Sequence, residues 1–423
     1  MNYQLYFKPF SSSYDDLSDP NNDFVNYFLS IKRQHIQPVV DKYYAGLGPE
    51  GYGVSLVLSR ILKVKEVFFS DRNLADKLAK NATYRAVCLL EKGETPAHNT
   101  YTTLRNRLGV EGFRQIHRNF VLEANKLGLL EPELPSLPKN KRKGIILIGD
   151  SSFIIAYCST KGVKQENGLW LFNDPTVAFG RPHHKYRYPV GHKAHTLMSL
   201  TGVPLVSILT SAEVQDQTVI FELLTELFKR YPEFTFAYII LDRGYDTENI
   251  HRDIYEQYQL IPIIIRKKMA YSKKFNKSGF PLCPFGYVLK KKGIDYKRKR
   301  TKYCCEKICL TNPKAQSDFF DCEIFKLNNR HGLVKYTYFK DSYRKFGPAL
   351  KTSIIYKHLK SYRTAIEREY GLVKDNRYKM EYTNTYKGID NVLIHVIEHD
   401  ITLTQDILFN FKRFGQISPV VKV

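Results

Sequence analysis

No run of apolar residues in the 423-residue chain approaches the ~20 needed to cross a bilayer, so neither a transmembrane helix nor a membrane partner is expected. The opening residues, MNYQLYFKPF, lack the charged-then-apolar order of a secretory signal, and a cytoplasmic location is expected. Cysteine is scarce and odd in number. Seven of them in a large chain of this kind read as reduced thiols or metal ligands rather than a disulfide framework. Acid is scarce too: 42 Asp and Glu against 65 Lys and Arg leave a net charge of +23. An ordinary metabolic enzyme has little reason to carry that surplus, and a polyanionic partner is the first expectation. At 43% hydrophobic and 13% aromatic, the chain is too apolar to be a disordered basic tail. The charge must therefore lie on folded domains, and the length argues for two or three of them.

The first 130 residues read as helical. Apolar positions recur at helical spacing in residues 54–67 and 110–127, where Gly128 supplies a stop. Between them, PAHNTYTTLRNRLG offers Asn99 or Thr100 as a cap for a short helix carrying Arg105 and Arg107, with Gly109 breaking it. Two short helices around a turn would be a DNA-binding pair; the alternative is a helical bundle with solvated arginines. A Pro-rich and then basic connector over residues 131–143 marks a boundary. After it, GIILIG reads as a buried strand running into Asp150, and HKAHTLMSL and PLVSILT as two strands joined at Thr-Gly-Val. A helix with Val219, Ile220, Leu223, Leu224 and Leu227 follows, then the strand FAYIIL before Asp242, a helix over residues 248–258, and the strand LIPIII. This order predicts an α/β sheet with mixed pairing over residues 144–267. Residues 268–350 break the periodicity and read as an inserted module. Helical patterns resume near Tyr356, and residues 389–411 carry a core-facing stripe in the closing segment, residues 351–423.

Asp150 and Asp242 share one context. Each ends an apolar strand and precedes small, polar or glycine residues, in IGDSS and LDRGYD. Rigid strand ends with exposed following loops favour ligand and metal sites, whereas a single such aspartate more often caps a turn. In SYRTAIEREYGLVKDNR, Arg363, Glu367, Tyr370 and Lys374 fall at i, i+4, i+7 and i+11, along one helix face. Taken alone, that stripe is a solvated face held by a weak Arg363 and Glu367 pair.

Taken together, Asp150 in IGDSS, Asp242 in LDRGYD and the R-x3-E-x6-K spacing of Arg363, Glu367 and Lys374 resemble the catalytic motifs of DDE transposases of bacterial insertion sequences, in the group written Y-R-E-K. RYPVGHKAHTL, the segment beginning FPLCPFG, ATYRAV and TPAHNTYTTLRNRLG fit as well, so nearly the whole chain is covered. One position departs: Lys360 stands where the group has its tyrosine, with Tyr356 and Tyr362 on either side.

The resemblance implies a ribonuclease H-like mixed sheet with flanking helices, preceded by an all-α domain and interrupted by a basic, Cys-containing insertion. It implies metal-dependent cleavage at the element's ends and strand transfer into target DNA. The partners would be terminal inverted repeats, target DNA and a second copy in a homodimeric synaptic complex, beside the bacterial nucleoid. A metal-dependent nuclease without strand transfer, and a non-enzymatic, transposase-derived DNA-binding protein, are the alternatives. Asp150, Asp242 and Glu367 are the expected ligands of Mg²⁺ or Mn²⁺, since hard ions take oxygen donors and clamp both oxygens of an in-line phosphoryl displacement. Arg363 and Lys374 would contact phosphates, with Arg243, Lys193 and His195 as further candidates. His192 and His195 do not make a metal pair, because residues three apart on a strand face opposite sides.

Residues 266–302 hold fourteen basic residues and one acid, interleaved with tyrosines and phenylalanines. Lys297, Arg298 and Arg300, with Arg105 and Arg107 from the front helices, are expected on DNA, where phosphate contacts release counterions. Cys283, Cys304 (or Cys305), Cys309 and Cys322 would form a four-thiolate Zn²⁺ site, although their C-x20-CC-x3-C-x12-C spacing lacks tight knuckles; small buried thiols are the alternative.

Overall fold

The protein is described from a computed structural model over residues 22–45, 52–91, 93–131, 134, 143–166, 168, 170–180, 189–267, 271–307, 322, 332–371 and 377–415, with side chains left aside for 364–371. The front of the chain is helical: α1 (Asp23–Leu29), α2 (Gln37–Tyr44), α3 (Gly53–Lys65), α4 (Asp71–Lys80), α5 (Ala82–Val87) and α6 (His98–Lys126). Ser70 and Asn81 start α4 and α5 by accepting the amides of Asn73 and Tyr84, two of the donors a helix start leaves orphaned. The expected cap at Asn99 or Thr100 is not used, since α6 begins at His98 after Ala97. Gly109 does interrupt the helix, at φ 56° and ψ −174°, but as a kink. Leu104 and Leu108 before it and Phe113, Ile116 and Phe120 after it are all buried, so one apolar face continues through the break. The span is therefore two helices meeting at Gly109, where the sequence places the break, and they share one buried face rather than standing as a separate pair.

The strands follow as β1 (Ile145–Ile155), β2 (Val163–Lys164), β3 (Trp170–Leu171), β4 (Ala178–Phe179), β5 (Val190–Ser199) and β6 (Pro204–Ser211). Then come α7 (Asp216–Arg230), β7 (Phe236–Leu241), α8 (Glu248–Tyr258), β8 (Ile261–Ile264), β9 (Lys290–Asp295), β10 (Arg300–Cys304) and β11 (Val334–Tyr338). The chain closes with α9 (Tyr343–Phe346), α10 (Ile354–Gly371) and α11 (Ile389–Phe414). The main sheet runs β4-β5-β1-β7-β8 with β6 on β5, and β9, β10 and β11 form a separate antiparallel sheet. Pairing is mixed: β4, β5 and β6 are antiparallel neighbours, while β1, β7 and β8 are parallel.

Two compact units emerge, one of Met1–Glu133, Asp150–Pro232 and Thr364–Val423, the other of Leu134–Gly149 and Glu233–Arg363. In the first, α11 packs on α6, α3 and β6, so the front helices share a core with the last helix of the chain. In the second, β7 and β8 are buried along their whole length, as expected of parallel strands covered on both faces. β1 contributes to both. Its residues Ile145 to Ile148 pair with β7, and further on Ala156 donates to Val190 at the start of β5. Asp150 is consequently not the end of its strand: the chain stays extended through Ile155 because a second neighbour takes over from β7. No helix among the described residues is long and apolar enough to cross a membrane.

Candidate active site

In the second unit, β7 delivers Asp242 into solvent. The buried run FAYIIL stops at Leu241, and the Asp242 carboxylate accepts the Arg243 amide to open a single 3-10 turn, Arg243–Tyr245. Tyr245 donates its amide to the Asp242 carbonyl at 3.1 Å, and Asp246 donates to the Arg243 carbonyl at 3.2 Å. Arg243 is exposed beside Asp242, as a phosphate contact requires. The far end of the turn is fixed by Asp246, 3% exposed, which no sequence motif singles out. Its Oδ1 accepts from His251 Nε2 at 3.0 Å, and its Oδ2 accepts from the Lys267 amide and from Arg344 Nη2, each at 2.7 Å. Burial by itself would raise the Asp246 pKa, but the donors His251, Arg344 and Lys267 outweigh it and hold the group well below the usual carboxylate range.

In the first unit, Asp150 is half-buried on β1. Its neighbour Ser151 donates to Asp216 Oδ2 at 3.3 Å, at the first turn of α7. Lys193 Nζ lies 3.1 Å from Asp216 Oδ1 and donates to the Val214 carbonyl at 2.8 Å. This ammonium holds the start of α7, which makes it a poorer phosphate contact than expected. His195 is fully buried, with Nε2 3.0 Å from Thr210 Oγ1 and Nδ1 3.6 Å from Asp216. Burial pushes its pKa down to about 4 against the pull of Asp216, so the ring is neutral at neutral pH and offers no positive charge to DNA. His192 turns to Thr176, 2.9 Å away, and so away from the side His195 occupies.

The other expected DNA residues divide by exposure. Lys297 and Arg298 stand in solvent at the β9–β10 turn. Arg300 is partly covered and lies over the Tyr336 ring at 4.2 Å. Arg107 lies over the Tyr44 ring at 4.7 Å. Arg105 is 6% exposed, with Nη1 2.6 Å from Asp71 and its guanidinium 4.2 Å from the Tyr386 ring, so it serves the helical interior and presents no surface to a phosphate. Arg363 is likewise buried, at 5% exposure. Of the tyrosines flanking Lys360, Tyr356 is buried and donates to the Ile264 carbonyl at 2.8 Å, which assigns it a structural bond. Glu367 lies on α10, but its side chain, Lys374 and Cys309 are outside the described residues. Among the described residues no three His, Cys, Asp or Glu side chains group as metal ligands do, so Cys283, Cys304 and Cys322 are not gathered.

A mixed α/β sheet flanked by helices, on a chain this basic, fits an enzyme that works on DNA strands. A family model described as a transposase DDE domain matches residues 142–393, more than half of the chain. The chain belongs to that family, and it is a transposase. No curated relative matches it. Among solved structures, a piggyBac transposase synaptic complex with hairpin DNA is similar at 10% identity and TM-score 0.32, covering 95% of this chain and 82% of that one. A likeness that loose carries no argument.

Proposed function

We propose that this transposase cleaves DNA at the ends of its element and joins them to target DNA, with Asp150, Asp242 and Glu367 as the carboxylates of the reaction centre. The observation that carries this reading is the register of the parallel β1–β7 pair, in which Ile148 stands opposite Ile240. Two residues further along each chain come Asp150 and Asp242. Each aspartate therefore follows a paired, buried strand position by two residues, Asp150 half-buried and Asp242 exposed. Glu367, on α10, is added from the R-x3-E-x6-K spacing of the sequence.

The donor set suits Mg²⁺ or Mn²⁺, because all three candidates offer oxygen, Asp242 is exposed and Asp150 is half-buried, leaving room for water and phosphate oxygens. When bound, a pair of such ions supplies charge stabilisation to the attacking and leaving oxygens of an in-line displacement. In cleavage, a water oxygen bonds to phosphorus and the bond from phosphorus to the 3′ oxygen breaks, leaving a 3′ hydroxyl. In transfer, that hydroxyl oxygen bonds to a target phosphorus and the target's own 3′ oxygen departs with a proton. Neither step needs a covalent enzyme intermediate. Arg243, Lys297 and Arg298 bind phosphates along the approaching duplex. The insertion-sequence, Y-R-E-K grouping and a homodimer that pairs two element ends belong to the same reading, as does the division into front helical, catalytic and inserted segments.

The test is Asp150→Asn, Asp242→Asn and Glu367→Gln in Mg²⁺-dependent cleavage of DNA carrying the gene's own flanks. Each is expected to abolish cleavage while DNA affinity in EDTA stays within about twofold. Mg²⁺-dependent cleavage surviving in all three would sink the proposal. Cleavage without joined products in the unaltered protein would reduce it to a nuclease.

A further inference from the structure

Asp242 is exposed, and among the described residues its carboxylate accepts the Arg243 amide, so the turn behind it orients it. A metal ligand needs its orientation held by the groups behind it, and loss of such groups typically costs about 10- to 100-fold in metal affinity or activity. The turn from Asp242 to Asp246 is anchored at one end by β7 and at the other by the Asp246 carboxylate. That carboxylate is buried and gathers donors from three separate places: His251 on α8, the Lys267 amide beyond β8, and Arg344 on α9.

Arg344 brings in the inserted segment. α9 follows β11 of the three-stranded sheet, and its start is held by a second carboxylate, at the start of α8: Glu248 accepts from Ser342 Oγ at 2.7 Å and from the amides of Tyr343 and Arg344. A third, Glu256, accepts from the Tyr343 hydroxyl and from Lys299, next to Lys297 and Arg298 at the β9–β10 turn. Glu248 and Glu256 thus fasten α9 and the β9–β10 turn to α8, and Asp246 fastens α9 to the end of the Asp242 turn. Of these three, only Asp246 also ends that turn.

We propose that Asp246 is a positioning residue for Asp242, and that its ion pair with Arg344 couples the seating of the basic inserted sheet to the geometry of the metal-binding turn. This rests on the reading of Asp242 as a metal ligand. Phosphates held by Lys297 and Arg298 pull on a sheet that runs from β11 into α9, whose Arg344 sits on the carboxylate that ends the turn. DNA engagement and metal binding therefore reinforce each other, with the half-buried Asp246–Arg344 ion pair as the link to the turn.

The experiment uses the full-length protein and a supercoiled plasmid carrying the gene's own flanks. Cleavage rate is measured across a Mg²⁺ titration, and plasmid affinity is measured in EDTA. Arg344→Ala is expected to raise the Mg²⁺ midpoint about tenfold or more while EDTA affinity stays within about threefold, and Arg344→Lys to recover part of the shift. Asp246→Asn is expected to move the midpoint the same way. If Asp242→Asn abolishes cleavage but Arg344→Ala keeps the unaltered midpoint and rate, the coupling is wrong while the ligand reading stands. If Asp242→Asn cleaves with an unaltered midpoint, the ligand reading fails and takes the coupling with it. Should Arg344→Ala fail to bind DNA in EDTA, Arg344→Lys decides the matter by the same midpoint: unchanged overturns the proposal, raised supports it.

Discussion

In the first unit Arg60 lies 1% exposed, with Nε and Nη2 each 2.6 Å from the Glu398 carboxylate, Nη1 on Asp71, and Nη2 2.6 Å from the Tyr386 hydroxyl. In the second, Arg298 stands in solvent at the β9–β10 turn, with Asp295 3.9 Å away. Both are arginines in a chain of surplus positive charge, and their environments assign them opposite work. The buried guanidinium satisfies its donors with two carboxylates and a phenol, because an unpaired charge in the interior is costly. The exposed one leaves its donors open to solvent. The count of 65 Lys and Arg therefore overstates the cations open to DNA, since some of them are paired inside the fold.

The contrast can be broken hardest from the buried side. Arg60→Ala leaves Glu398 and Asp71 without this cation and is expected to cost about 3–5 kcal/mol of stability, read as a fall in denaturant midpoint. A change below about 1 kcal/mol would show that the network does not bear on the helical core. At the exposed turn the same chemistry should spare the fold. Lys297→Ala with Arg298→Ala is expected to leave stability within about 0.5 kcal/mol, to weaken plasmid binding, and to lower the salt dependence of log K by about 2, near one unit per phosphate contact. An unchanged salt slope would remove this turn from the DNA surface.

A pH-dependent contrast concerns Asp400, fully buried on α11, whose Oδ2 accepts from Ser207 Oγ at 2.6 Å. Burial raises its pKa to about 7, only partly countered by Ser207 and Arg230. The folded state therefore holds a proton that the unfolded chain releases near pH ~4. Stability should fall as pH rises from about 4 through 7 and level off above. Asp400→Asn, which keeps the shape without the charge, should flatten that part of the profile. An identical slope in the variant would exclude Asp400 as its source.

Much of the main sheet is legible in the order of residues. The helix over Glu248–Tyr258 matches its predicted span, and the hairpin of β5 and β6 follows from two apolar runs around Thr-Gly-Val. Asp242 falls where the sequence puts it because an apolar run ending at a polar turn is a local signal. Asp150 does not end its strand as expected, since whether β1 stops at Gly149 depends on a second neighbour that its own residues do not announce. Arg105 looks like Arg298 in sequence; its burial comes from Asp71 and Tyr386, far along the chain. Asp246 carries one visible sign, a second aspartate four residues after Asp242 in LDRGYD, but nothing local says that Arg344 will meet it.

The sequence by itself determined the helix and strand pattern, the surplus of positive charge and the aspartates that close or interrupt apolar runs. These are properties of neighbouring residues, read through periodicity and side-chain chemistry. Tertiary structure alone decided which charges face solvent, that Lys193 and His195 turn to Asp216, and that Asp246 joins a turn to α8 and α9. Those outcomes depend on desolvation and on donors brought from distant positions, and both exist only once the chain has packed.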